Sequence, residues 1–439
     1  MFKTLQNAFK IKEIRQKLFY TFLMLIVIRF GSILPVPGVN RTFLAEWLAN
    51  QTGDAFNLID AFTGGSLASM SLFALGINPY ITSSIIMQLL TIAIPKLEEM
   101  QKDGEDGRKK IQTITRYVTV VLALVEGSAM TIGFGGQGLL ENATWYNMAV
   151  VVAALTAGSA FLMWIGERIT QNGVGNGISI VLLINIVSRM PDDFVRLYEM
   201  FLAGDGNVAK KALAAVIILA VILVTVVFVI ILQDGERRIP VQYSKKLQGR
   251  KVVGGQSTHI PMKVNTAGVI PVIFASSLMS FPGIIAALIG NGGGTGIWSK
   301  ILRGLSSGSW CNPKEPVYSL GLLLYILLVV FFAYFYTSIT FNPMEIADNM
   351  KKQGGFVPGI RPGRPTTEYL TKILNYIIFV GAIGLIIVCV VPIFFNGVFG
   401  ANVSFGGTSI IIVVGVVLET LKQIESQMAV RYYKGFLND

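Results

Sequence analysis

Charge is scarce in this sequence, and so are the residues from which most catalytic and metal sites are built. Of 439 residues, 14% are Asp, Glu, Lys or Arg, one is histidine and two are cysteine, whereas 53% are hydrophobic. His259 falls in a stretch that reads as a polar loop, which leaves a metal cluster or a serine–histidine–aspartate arrangement little to build on. Cys311, in a loop, and Cys389, inside an apolar run, make neither a disulfide framework nor a metal site. The glycine-rich G-F-G-G-Q-G at 133–138 follows an apolar run and opens no strand–helix–strand unit, so it is not a phosphate loop. No enzymatic constellation and no cofactor are expected. The start, Met1 to Lys17, is basic and amphipathic, and no small-residue cleavage pattern follows it, so it reads as part of the mature chain.

Long apolar runs are what the sequence has in quantity, and with a strongly positive mean hydropathy they describe a polytopic membrane protein. Ten runs stand out. They are Leu18 to Pro35, Phe73 to Ile94, Tyr117 to Ile132, Met148 to Ile165, Ile178 to Met190, Ala212 to Leu232, Val264 to Ile289, Val317 to Ile339, Ile373 to Phe395 and Thr408 to Leu421. Before the second run lies Phe62 to Leu72, apolar but rich in Gly and Ser and too short to span about 30 Å of hydrocarbon. It is expected to be a re-entrant half-helix, which implies a cavity, because irregular backbone at membrane depth must be buried by protein or wetted.

The second run, Phe73 to Leu90, carries Pro79 near its centre, and its motif recurs. A-L-G-I-N-P-Y-I, from Ala74, is echoed by T-A-G-V-I-P-V-I, from Thr266: Gly76 matches Gly268, Pro79 matches Pro271, and Ser84 matches Ser276. The short runs also echo each other, G-N-G-I-S-I-V-L-L from Gly175 against F-G-G-T-S-I-I-I-V-V from Phe405. These pairs fall second and seventh, fifth and tenth. The expected organisation is therefore two related halves, 1–200 and 201–439, of five spans each, inverted with respect to one another because five is odd. Each proline is expected to loosen its helix locally.

Most of the 36 lysines and arginines fall in the N-terminal arm, in the loops near Lys96 to Arg116, Arg237 to Lys263 and Lys351 to Lys372, and in the C-tail, which puts both termini in the cytoplasm. Two of these loops are larger than orientation requires. Residues 233–263 contain Arg237 and Arg238 before an alternating, strand-like run, then Lys245, Lys246, Arg250 and Lys251. Residues 341–371 read as a short helix, Met344 to Lys352, followed by a Gly/Pro-fixed turn with Arg361 at its tip. The first suits contact with RNA phosphate or an acidic protein groove; for each loop a solvated charge run that only sets orientation is the alternative, and the prolines and glycines favour docking.

Away from the last residues of the spans, Arg29 and Glu126 are the charged residues: the first is expected to snorkel towards the interface near Pro35 and to anchor structure, the second to face protein or water. No carboxylate relay accompanies them. Aliphatic pairs recur instead. Ile77 and Ile81 share a helix face, Val269 and Ile273 repeat the spacing, and Leu182 with Ile186 offers it again. Plain packing explains any one pair, and their symmetric recurrence favours an aliphatic constriction. A secondary transporter would share the inverted halves and broken helices but calls for a polar central site. A pore-less membrane scaffold is a further alternative.

Six motifs in order carry a resemblance over essentially the whole length. They are S-L-F-A-L-G-I-N-P-Y-I-T-S-S-I-I-M-Q-L-L from Ser71, G-V-G-N-G-I-S-I from Gly173, G-E-R-R-I-P-V-Q-Y from Gly235, A-G-V-I-P-V-I-F-A-S-S from Ala267, G-I-R-P-G-R-P-T from Gly359 and F-G-G-T-S-I-I-I-V from Phe405. The chain resembles the SecY/Sec61-alpha family of protein-translocation channels. The resemblance implies an all-α polytopic membrane protein of the bacterial plasma (inner) membrane, with ten transmembrane helices in two inverted halves and a re-entrant plug half-helix. It implies a pore ring of Ile77, Ile81, Leu182, Ile186, Ile273 and Ile412. The plug would be Phe62, Thr63, Gly64, Gly65, Ser66, Leu67, Ala68, Ser69, Met70, Ser71 and Leu72. A lateral gate between spans two and three and spans seven and eight would be lined by Thr82, Glu126, Ser276 and Ser277. Arg237, Arg238 and Arg361 would dock a SecA-type ATPase motor or the ribosome through its rRNA. Membrane subunits similar to SecE and SecG, a translocating polypeptide with its signal sequence, and the lipid bilayer complete the implied partners.

Overall fold

The computed structural model describes residues 9–44, 60, 62–142, 144–201, 208–243, 246–248, 251–253, 257–288, 297–305, 310–311, 316–399 and 407–435. Ten of its helices, each of sixteen residues or more, take up the ten apolar runs. They are α1 Lys12–Ile33, α2 Asn78–Ala93, α3 Gly104–Phe134, α4 Trp145–Asn172, α5 Gly177–Phe201, α6 Val208–Asp234, α7 Ile270–Leu288, α8 Leu320–Thr340, α9 Arg364–Phe399 and α10 Gly407–Gly435. Six helical segments, five lying in α1, α3, α4, α6 and α9 and one, Pro316–Lys352, containing α8, are each long and apolar enough to cross a bilayer, and α2 with the following short helix Pro95–Lys102, bent by 102°, makes up to a seventh. Their outward faces are apolar, as at Phe19, Phe22, Leu219, Val224, Leu323 and Phe379, all exposed. In water such faces would be a large liability; in lipid they need no partner.

Pro79 does not sit mid-helix. It occupies the first turn of α2, where its missing N–H is one the helix would leave unpaired and its fixed φ suits helix entry. Pro271 is likewise the second residue of α7. Each is preceded by a glycine in the left-handed region, Gly76 at φ +60° and Gly268 at φ +65°. The repeat therefore encodes a turn that launches a helix, not a kink within one.

The run before α2 also differs from expectation. Only Phe62 and Thr63 at its start are helical; residues 64–70 and 72–77 form successive turns. Gly64 (φ +69°), Gly65 (φ +82°) and Met70 (φ +44°) adopt a conformation no α-helix continues through. The turns are closed by local bonds such as Ser69 N–H to the Gly65 carbonyl at 3.2 Å and Ser71 N–H to the Ser66 carbonyl at 3.0 Å. At 16 residues, α2 is only about 24 Å long, so this irregular backbone makes up the remaining depth. It is tolerable there because protein covers it: Ala74, Phe73 and Ile77 are buried.

Apolar packing forms one cluster in the N-terminal half around Met70, Ala74, Phe134 and Leu155, and another in the C-terminal half around Val229, Val272, Val329 and Leu385. Between the halves lies a third, described below. Outside the helical body, the two basic loops fold together. Strand β1, Glu236–Tyr243, is followed by β2 Lys246–Gln248 and β3 Lys251–Val253, which pair as a hairpin, and then by β4 Ser257–Lys263 and β5 Gly355–Phe356. β1 is central in a three-stranded sheet, antiparallel to β4 with Ile239 opposite Ile260, and to β5 with Gln242 opposite Phe356. Ile239 and Val241 bury one face of β1 in a cluster with Ala347, Met350, Leu370, Ile373 and Ile377. His259 is thus an exposed strand residue opposite Pro240, not a loop residue. Lys245 and Arg250 lie outside the described residues.

Candidate functional site

The six aliphatic residues expected to form a ring lie in a single apolar cluster. Ile77, Leu182, Ile186 and Ile412 are buried, and Ile81 and Ile273 are half-buried at its edge. Val269, the counterpart of Ile77, packs there too, as do Ile28 of α1 and Ile165 of α4. The helix starts place these side chains. The first helical bonds of α2 and α7 run from the Ile81 N–H to the Ile77 carbonyl at 3.1 Å and from the Ile273 N–H to the Val269 carbonyl at 3.2 Å. Each aliphatic pair is therefore one turn apart on one face, at the point where irregular backbone becomes helix.

The stretch of residues 62–72 is seated against this cluster, with Phe62 and Leu72 packed on it. Its far end is fixed by backbone: the Leu72 N–H donates to the Leu34 carbonyl at 2.8 Å, and the Val36 N–H to the Met70 carbonyl at 3.2 Å. Its near end is fixed by side chains. Arg189 of α5 forms an ion pair with Asp60, both partners largely buried, while the other Asp60 oxygen accepts from the Ala68 N–H at 2.9 Å. The Asn185 amide donates to the Phe62 carbonyl at 3.1 Å. Arg29 is anchored to protein, donating to Ser188 Oγ at 2.9 Å and reaching the Gly64 carbonyl at 3.5 Å. A guanidinium with buried oxygen acceptors at hand is held there, because desolvating it unpaired would be costly.

The residues expected to line a gate are spread over α2, α3 and α7. Thr82 and Ser277 are exposed, Glu126 and Ser276 half-buried. Ser276 Oγ donates to its own helix at the Ile273 carbonyl, 3.0 Å away. Among the described residues, no ion pair or hydrogen bond reaches the Glu126 carboxylate. The residue that ties α2 to α3 is instead the neighbouring Ser83, buried, whose Oγ donates to the Thr115 carbonyl at 2.7 Å. α3 packs directly on α7. At one end of the α3–α4 pair, Arg116 Nε meets Glu167 at 2.7 Å, and Arg168 lies over the Trp164 ring.

Arg237 and Arg238 are exposed on β1. Arg361 is exposed at the tip of a turn set by Gly359 (φ +82°) and Gly363 (φ +103°), and its carbonyl accepts from Thr366 Oγ1 at 2.8 Å. The sheet joins the loops carrying these three cations into one basic platform, a pairing that no local sequence signal announces, since β5 has two residues.

Asp60, Asn185, Arg189 and Ser83 were not anticipated as site residues. The signal was present for two of them: Asn185 and Arg189 stand three and seven residues after Leu182, on the face that carries the aliphatic pair.

The SecY family model matches residues 71–421. A protein translocase subunit SecY of Halalkalibacterium halodurans is 44% identical over the full length of both chains, and that of Bacillus subtilis is 43% identical, again over all of both. Among solved structures, one described as a protein-conducting channel superposes with a TM-score of 0.63 at 19% identity, covering 94% of this chain and 92% of that one. A second, of a SecY whose plug domain is described as stabilising the closed channel and maintaining a membrane seal, gives 0.60 at 19% identity over the same shares.

Proposed function

This chain belongs to the SecY family, and from that premise we propose how it conducts a polypeptide. It is a multi-pass membrane protein that serves as a protein-conducting channel with a plug. In our reading, Ile77, Ile81, Leu182, Ile186, Ile273 and Ile412 are the constriction through which the chain threads. The observation that carries this is that side chains from both halves, launched by the two copies of one turn, converge in a single apolar cluster. A moving polypeptide offers no fixed side chain to recognise, and a polar filter would hold some sequences. Aliphatic side chains offer no strong hydrogen bonds, and when narrow they exclude water and ions.

The plug is residues 62–72, and the gate opens between α2/α3 and α7/α8, with Thr82, Glu126, Ser276 and Ser277 along it. A sufficiently apolar segment leaves through that gate because moving apolar surface into lipid is favourable by about 25 cal/mol per Å². We read the chain as ten spans in two inverted halves, 1–200 and 201–439, in the bacterial plasma membrane with both termini cytoplasmic. Arg237, Arg238 and Arg361 present the platform to a SecA-type motor or to ribosomal RNA, and SecE-like and SecG-like subunits complete the complex.

The test is contact with a client in transit. A photoreactive group on a stalled secretory chain should crosslink to Ile81 and Ile273 in the full complex; crosslinks confined to the platform would overturn the pore reading. Saturable uptake of a small solute without a motor would favour a transporter instead.

A further inference from the structure

We propose that Arg189 and Asn185 of α5 are positioning residues for the plug, holding its start through Asp60 and the Phe62 carbonyl and so coupling the plug's seat to the ring. The proposal rests on the plug reading given above. Leu182, Asn185, Ile186 and Arg189 fall at i, i+3, i+4 and i+7, one continuous stripe on α5. The stripe alternates two roles: Leu182 and Ile186 contribute to the apolar cluster, while Asn185 and Arg189 grip residues 60 and 62. Arg29 adds a third hold through Ser188, whose Oγ in turn donates to the Asn185 carbonyl at 2.6 Å.

A shift or rotation of α5 that moves Leu182 and Ile186 carries Asn185 and Arg189 with it, because all four stand on one helix. On α5 the polar seat and the apolar ring therefore move together.

The test measures resting ion flux and export of a precursor with a defective signal sequence, using the full complex in proteoliposomes. Arg189→Ala and Asp60→Asn should each raise resting flux by at least about tenfold, since each strands a buried partner, and both should pass the defective precursor. Arg189→Lys, which keeps the charge, should stay near the parent, and the exchanged pair Asp60→Arg with Arg189→Asp should recover most of the seal. Recovery by exchange distinguishes positioning from a general loss of structure, as does normal accumulation with partner subunits. A swapped pair as leaky as the single variants overturns the proposal. Unchanged flux in Arg189→Ala, alongside a leak when residues 64–70 are deleted, overturns it while leaving the plug reading intact. Unchanged flux in that deletion overturns the plug reading itself.

Discussion

A methyl group added at Gly76 would come within 2.9 Å of the Thr63 side chain, whereas at Gly268, in the same turn of the other half, it would meet nothing within 4 Å. The two turns agree in backbone, with φ of +60° and +65°, in the proline at the second helical position, and in the first helical bond. They differ in what has been laid against them. In the N-terminal half Thr63 lies against the turn and Ile77 is buried to 1% exposure. In the C-terminal half the equivalent Val269 stays half-buried. The duplicated motif supplied the same launching device twice, and the two copies differ in the stretch laid against one of them. The asymmetry between the two turns therefore comes from their surroundings rather than from their backbone.

Three pairs of substitutions probe this difference, each measured as thermal unfolding of the purified complex together with resting ion flux. The largest effect is expected at the buried aliphatics. Ile77→Ala should cost about 2–5 kcal/mol, because it removes a fully buried side chain, against about 1 kcal/mol for Val269→Ala. Equal losses would mean that the two halves are equally packed and would break the comparison. Next come the glycines. Both Gly76→Ala and Gly268→Ala carry a left-handed penalty of about 1–2 kcal/mol, and only Gly76→Ala adds a clash with Thr63, so it alone should also raise resting flux. A leak from Gly268→Ala of the same size would show that strain in the turn, not contact with the plug, controls the seal. The smallest effect is expected at Pro79→Ala and Pro271→Ala. Each should lose about 1 kcal/mol or less, chiefly by loosening the unfolded chain's restriction, and the two losses should match. A kink-forming proline would instead show unequal, larger changes in conductance.

The membrane class and the ten helical segments were legible in the sequence because lipid imposes a simple demand: about 20 apolar residues per span and every backbone group paired within it. The repeat was legible as well, since glycine and proline have backbone meanings that survive in the letters. Its geometry was misread, because a proline in an apolar run can either break a helix or begin one. Hydropathy cannot tell these apart, and only the left-handed Gly76 and Gly268 settle it. The aliphatic residues of the cluster could be chosen from spacing and resemblance, and Arg189 shares their stripe, but its pairing with Asp60 could not be read. The two lie 129 positions apart, and nothing in the fifth run names a partner outside it.

What the sequence determined by itself is the class of protein, the segments that become helices, and the recurrence of one glycine–proline motif before two of them, since these follow from hydropathy and from the letters over a few residues. The tertiary structure alone decided that Arg29 is anchored to Ser188, that Asn185 and Arg189 hold residues 60 and 62, and that a two-residue strand joins two distant basic loops into one sheet. Those outcomes depend on which buried polar group finds a partner across the fold, and pairing of that kind has no local signature.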